Sequence, residues 1–240
     1  MPFSKNSFVS ILDGKLKGWK WSLHSSEFKC LIGTYEPETQ GVFEKYIKAN
    51  DIVYDIGANV GYFSLLASFL TGKKGRVYSF EPIKDNMDTL TKHVTLNNIN
   101  NIKGYNYAIA DCNKIIKFTN SENKSANTYI CNSPMFDISP TIDIQARSLD
   151  SLFLEDKLMP PDFIKIDIEG AEFDALKGAQ YIIKKYYPVI YVSTHENHLK
   201  GVEYACKLFL MNLNYELTLI NVNQDTPGIK DYIAVHQKSE

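Results

Sequence analysis

The chain has 240 residues, 44% hydrophobic and 22% charged, enough for one substantial α/β domain or two small ones and too apolar for a disordered chain. With 26 basic against 28 acidic residues the formal charge is −2, so the composition carries no phosphate-tracking surface and nucleic acid is not an expected partner. Four scattered cysteines, Cys30, Cys112, Cys131 and Cys206, exclude a Cys-x-x-Cys zinc site and a disulfide framework; with no signal-like N-terminus and no membrane-length apolar run, they point to a cytoplasmic protein.

Residues 1–50 read as a β-rich cover followed by a helix at Thr39 to Ala49, and residues 51–240 as the core of a single domain. "DIVYDIG", from Asp51, is an apolar strand, and Val60 to Leu70 is a helix too densely apolar to be exposed. "GRVYSFEP" is a second strand closed by Pro82, and Lys84 to Asn98 a helix with Met87, Leu90 and Val94 at helical spacing. "NIKGYNYAIA" reads as a third strand ending near Asp111. "KIIKFTN" and "TIDIQARSL" read as strands joined by a polar loop. "DSLFLEDKL" is a short helix capped by Asp150 or Ser148. "DFIKIDIEG" is a buried strand, "EFDALKGAQYIIKKY" a helix, "PVIYVSTHE" a strand and "HLKGVEYACKLFLMNL" a helix. "YELTLINV" and "DYIAVHQ" close the chain as two strands able to pair. Near-continuous apolar strands alternating with helices imply a mostly parallel sheet covered on both faces, with an antiparallel edge.

In such a sheet ligands bind beyond the carboxyl ends of the strands, where Asp55, Glu81 and Asp167 fall. Glu81 follows Gly61 by 20 residues, where a carboxylate can accept both hydroxyls of a ribose. The turn is Gly57-x-x-x-Gly61, not Gly-x-Gly-x-x-Gly, and Asp55 beside it suits an ammonium better than a pyrophosphate. A ribose and an amino acid end without a diphosphate describe S-adenosylmethionine. Each signal has a plainer reading: the glycines as packing, the Glu as a solvated cap.

"DIGANVGYFS", "VYSFEP", "FIKIDIEGAEFDALKGA" and the "PVIYV" strand resemble the FkbM-like family of class I S-adenosylmethionine-dependent methyltransferases, over about Gly33 to His195. The resemblance implies a Rossmann-like α/β fold with a seven-stranded, mostly parallel sheet and a reversed last strand. It also implies O-methylation, often of a sugar hydroxyl in a glycan or natural product. On the family pattern Asp55, Gly57, Asn59 and Gly61 form the methionine-side loop, whose N–H groups hold the ligand carboxylate. Glu81 binds the ribose, Pro82 and Ile83 wall the adenine, and Ala108, Ile109 and Asp111 sit where adenine is recognised. Asp111 either takes the exocyclic amine or holds a turn. Tyr35 and Glu36, in "GTYEPET", precede the cover helix and would reach over the sulfonium. Where the family often carries a glutamate this chain has Ser193, so Glu196 or His195 would replace it.

Asp167, ending a buried strand, needs a partner, because desolvating a lone charge costs several kcal/mol. It would be the methionine ammonium or the substrate. An Asp-x-Glu pair in strand geometry places Asp167 and Glu169 on one face. Glu172 either contacts the substrate or simply favours a helix N-terminus. A hydroxyl acceptor needs a base, and His195 is the candidate, with Glu169 the alternative and His198 a weaker one. Three close carboxylates are also a possible cation site, but no Asp-Asn ligand pair accompanies them and no metal is assigned. Asn127 and Tyr129, in "NKSANTYICNSPMF", suit a polyol. The expected partner is a small-molecule or glycan acceptor, with oligomeric state open. The competing readings are methylation of another small molecule, RNA or protein, a nucleotide-dependent oxidoreductase, and a non-catalytic module that has kept the fold.

Overall fold

The computed structural model describes residues 7–23, 27–119, 141–223 and 226–237. The chain divides into two compact units, Met1–Asn106 and Tyr107–Glu240.

The first unit opens with an antiparallel strand pair, β1 (Phe8–Ser10) and β2 (Lys20–Ser22), then α1 (Phe28–Leu31) and α2 (Pro37–Tyr46). The second helix begins two residues before its expected start because Pro37 suits the first helical turn, where no N–H is needed. There follow β3 (Ile52–Ile56), α3 (Tyr62–Thr71), β4 (Arg76–Phe80), α4 (Lys84–Leu96) and β5 (Ile102–Tyr105), with β3, β4 and β5 parallel in that order. Every residue of β3 is buried, as expected of a strand covered on both faces. Trp21, Tyr62 and Phe63 are buried too, and the Trp21 ring meets Tyr62 edge-on, so β2 packs against α3.

The second unit has a three-stranded sheet, β6 (Ala108–Ile109), β7 (Lys114–Thr119) and β8 (Thr141–Arg147), in the order β6-β8-β7, then α5 (Leu149–Glu155). It continues with β9 (Phe163–Ile166), α6 (Glu172–Gly178), α7 (Gln180–Tyr186), β10 (Val189–His195), α8 (Val202–Met211), β11 (Tyr215–Val222) and β12 (Ile229–His236). Here β9 and β10 are parallel, while β12 runs antiparallel to both β10 and β11. The large sheet is seven-stranded and mostly parallel, the Rossmann-like α/β arrangement with its last strand reversed.

Two expected elements divide. The stretch from Asn101 to Ala110 makes two strands in different sheets, because Asn106 turns its amide back to the carbonyls of Glu81 and Pro82, at 2.8 and 2.9 Å. The helix from Glu172 breaks at Ala179. Asp150 accepts from the N–H groups of Tyr181 and Ile182 at 2.9 and 3.1 Å and so caps α7. Its own helix, α5, is capped by Ser148, whose hydroxyl accepts from Ser151 N at 3.2 Å. Gly178 packs so closely that an added Cβ would lie 2.0 Å from the Ala110 carbonyl oxygen.

Candidate functional site

In the first unit β4 ends at Phe80 and α4 starts at Lys84, leaving Glu81 between them in a buried position. Its Oε2 accepts from Asn59 N at 2.9 Å; its Oε1 accepts from Ile83 N at 2.9 Å and from the Asn86 amide at 3.3 Å. One carboxylate thus ties the glycine turn to the end of β4. Within that turn Gly57, Asn59 and Gly61 have φ of 80°, 49° and 98°, left-handed conformations that glycine and asparagine adopt at least cost. The turn is not a row of open donors: Gly57 N and Ala58 N donate to Phe80 O, Asn59 N to Glu81, and Gly61 N to Ala58 O. These four N–H groups are thus hydrogen-bonded within the first unit. Gly61 also has a packing role, since a Cβ there would lie 2.8 Å from Leu90 Cγ.

Asp55, in β3, is fully buried and accepts from the Ser64 hydroxyl, which is itself 2.7 Å from Ser79 Oγ. The acidic residue at the turn is therefore fastened to α3. Tyr35 packs on Tyr62 and Phe63 at 5.4 and 5.9 Å between ring centroids, beside the turn's exit into α3. Glu36 is left-handed, φ 43°, directly before Pro37 of α2. Pro82 and Ile83 lie next to Glu81, with Ile83 buried. Two residues that sequence reasoning passed over complete this unit's site. Asn106 braces Glu81–Pro82 from the end of β5. His93 in α4 bonds the Val60 carbonyl through Nδ1 at 2.8 Å and accepts from Ser22 N through Nε2 at 3.0 Å. Burial drives the His93 pKa down to about 4.

The second unit holds a separate cluster at the carboxyl ends of β9 and β10. His195, 3% exposed, closes β10. Its Nδ1 lies 2.8 Å from Glu172 Oε1, and its Nε2 lies 3.7 Å from Asp167 Oδ1 and 3.6 Å from Glu169 Oε2. His198 Nδ1 is 3.0 Å from the same Glu169 oxygen, and the two imidazoles lie 5.7 Å apart. Asp167 Oδ2 is 3.3 Å from Nζ of the buried Lys165. Burial pushes the Asp167 carboxyl up, but Lys165 and His195 outweigh it and hold it below the ordinary carboxylate range.

One expectation changes here. Asp167 and Glu169 do not owe their convergence to strand alternation, because β9 stops at Ile166 and Glu169 and Gly170 follow in left-handed conformation, φ 58° and 106°. Glu172 is fully buried, and its carboxylate meets Gly170 N and His195. Burial opposes the charge of His195, but the hydrogen bond and charge of Glu172, then the charges of Asp167 and Glu169, lift its pKa to about 9.

Glu196 does not stand in for a carboxylate at Ser193: its two oxygens accept from Gly201 N and Glu203 N, at 2.6 and 3.2 Å, at the start of α8. The carboxylate facing Ser193 is Asp231, its direct partner on β12. Strand alternation puts Tyr191, Ser193 and His195 on one face of β10, and the register Tyr191–Lys165 and Ser193–Asp231 adds both charged residues to it. Burial, with Asp167 adding to it, raises the Asp231 pKa against the hydrogen bond from Ser193. No local sequence pattern marks Asp231, since only strand pairing brings it opposite Ser193.

Ala108 and Ile109 form the buried strand β6. Asp111 beside them pairs with Lys114 at 2.6 Å and Lys177 at 3.8 Å; the Lys114 hydrogen bond heads the causes that lower its pKa. Asn127 and Tyr129 lie outside the described residues. Among the described residues no group of three or more His, Cys, Asp or Glu is arranged to hold a metal ion, and no helix is long and apolar enough to cross a membrane.

A family model described as the methyltransferase FkbM domain matches residues 55–231, more than half of the chain. The chain is 25% identical over 180 residues to the hexuronic acid methyltransferase AglP of Haloferax volcanii, covering 73% of this chain and 69% of that protein. Among solved structures it resembles a methyltransferase FkbM from Methylobacillus flagellatus KT, with a TM-score of 0.57 at 20% identity over 83% of this chain. This chain spans about half, 51%, of that one. It also resembles fibrillarin from Aeropyrum pernix, which holds natively bound S-adenosyl-L-methionine, with a TM-score of 0.52 at 12% identity, covering 82% of this chain and 73% of that one. Both structural likenesses are of fold.

Proposed function

The chain belongs to the FkbM methyltransferase family, and from that premise we propose that it is an S-adenosylmethionine-dependent O-methyltransferase acting on a sugar hydroxyl. The observation that carries the cofactor reading is Glu81: a buried carboxylate at the carboxyl end of a parallel strand, hydrogen-bonded to a turn with three left-handed residues. That position suits a pair of ribose hydroxyls, because ligands of open α/β sheets lie beyond these strand ends. The bound S-adenosylmethionine of the Aeropyrum pernix protein, and the sugar acid named for the Haloferax volcanii relative, support the cofactor and the acceptor class.

When bound, S-adenosylmethionine supplies a methyl group on a cationic sulfonium. The chain's part is to hold the acceptor in line and to take its proton. Alignment of this kind is worth ~7–11 kcal/mol of the barrier, and a positioned base ~10²–10⁴ in rate. Glu81 would engage the ribose, with Pro82 next to it in the chain. In the second unit the neutral form of His195, the minor one at neutral pH because its pKa is raised to about 9, would receive the hydroxyl proton at Nε2, with Asp167 and Glu169 next to that nitrogen.

Calorimetric titration of S-adenosylmethionine into the wild type, Glu81→Gln and Glu81→Ala tests this. The expected result is micromolar binding that weakens at least tenfold in both variants while their circular dichroism stays native. A folded wild type that binds no S-adenosylmethionine sinks the reading.

A further inference from the structure

We propose that Glu172 is the positioning residue of the second unit's site: it holds the Nδ1–H of His195 and so makes Nε2 the nitrogen that exchanges a proton. This rests on the reading of His195 as the proton acceptor of the methyl transfer. Glu172 reaches the ring because the chain reverses tightly after β9. Glu169 and Gly170 are both left-handed, and Gly170 N donates to Glu172 Oε1 at 2.9 Å, fixing the side chain before it meets His195 Nδ1 at 2.8 Å. A β-carbon on Gly170 would stand 3.1 Å from His198 Cβ, so the reversal leaves little room for another residue.

Three further observations favour this role over a packing one. Glu172 Oε2 is buried and has no hydrogen-bond partner among the described residues, so the charge of the carboxylate is balanced mainly through Oε1. A buried carboxylate with so few donors is costly unless a cation stands beside it, and the imidazolium of His195 is that cation. On the other side of the ring, among the described residues, Nε2 meets longer contacts, 3.7 Å to Asp167 and 3.6 Å to Glu169. One nitrogen is thus held tightly and the other loosely, and the loosely held one is free to exchange. The charged groups around the imidazole are Glu172 from α6, Asp167 and Glu169 from the turn after β9, and His198 from the turn after β10. Lys165 lies one step behind, on Asp167. The carboxylates outnumber the cations, which is why the ring keeps its proton at neutral pH.

The test is ¹⁵N NMR of the His195 side chain against pH in the whole chain, for the wild type, Glu172→Gln and Glu172→Asp. In the wild type the ring should titrate near pH 9, with Nε2 losing the proton. In Glu172→Gln the midpoint should fall by about 2 units or more, and in Glu172→Asp by less, because the charge is kept at a longer reach. S-adenosylmethionine binding should persist in all three. A midpoint unmoved in a folded Glu172→Gln, or a wild-type ring that loses its proton from Nδ1, overturns the proposal. If the NMR result holds but no variant binds S-adenosylmethionine, the positioning role stands and the methyltransferase reading of the site falls.

Discussion

The His93 imidazole lies flat against Trp21, ring centroids 4.0 Å apart and planes 13° apart, and both its nitrogens are committed to backbone. Nδ1–H donates to Val60 O while Nε2 accepts from Ser22 N, so only the neutral ring satisfies both bonds. The pKa is accordingly depressed from 6.5 to about 4. An unfolded chain takes up this proton near pH 6.5 and the folded chain refuses it, so stability is full above 6.5 and is lost as pH falls toward 4. The loss attributable to His93 is about 3 kcal/mol. Urea unfolding between pH 7 and pH 4.5 should show a steeper decline in the wild type than in His93→Gln; equal slopes would mean the ring is not held neutral.

Gly61 combines a φ of 98° with the side chain of Leu90 against its α-carbon. Gly61→Ala is expected to cost about 1–3 kcal/mol from backbone strain and overpacking together. Introducing it into Leu90→Ala separates the two causes, because removal of the leucine leaves only strain. If the alanine costs as much in that background as in the wild type, the contact with Leu90 contributes nothing.

Glu196 serves the first turn of α8. Glu196→Ala should lower stability by about 0.5–2 kcal/mol, as loss of a side-chain cap does, and leave S-adenosylmethionine affinity unchanged. A loss of affinity with unchanged melting temperature would return Glu196 to the site.

Asp231 carries a raised pKa in the folded protein, so its stabilising effect is greatest below the ordinary carboxylate value near 3.8 and is lost as pH rises through the raised one. Asp231→Asn should therefore melt at a higher temperature than the wild type at pH 7, with the advantage fading toward pH 4. A variant that melts lower at pH 7 would show the ionised carboxylate to be a net stabiliser through Ser193 and Asn221.

Much of this was legible along the chain because it depends on neighbours in sequence. Apolar runs such as "IVYDI" and "FIKI" mark buried parallel strands, and the terminal strand pair marks the antiparallel edge. Gly57, Asn59 and Gly61 signal a left-handed turn because few other residues tolerate it. The family itself could be read from "DIGANVGYFS" and "KIDIEGAE", and the match over residues 55–231 agrees.

What only the tertiary structure decided is which polar atoms meet. Hydrogen bonds and charges act over a few ångströms, and residues within that reach can lie far apart in the chain. Glu172 and His195 are 23 positions apart, Asn59 and Glu81 are 22 apart, and Ser193 meets Asp231 only through the register of two antiparallel strands. A sequence states that an acid, a histidine and a glycine turn are present. Folding sets their order of contact, and with it His195 pushed toward its charged form by Glu172, the Gly57, Ala58 and Asn59 N–H groups given to Phe80 and Glu81, and His93 kept neutral under Trp21.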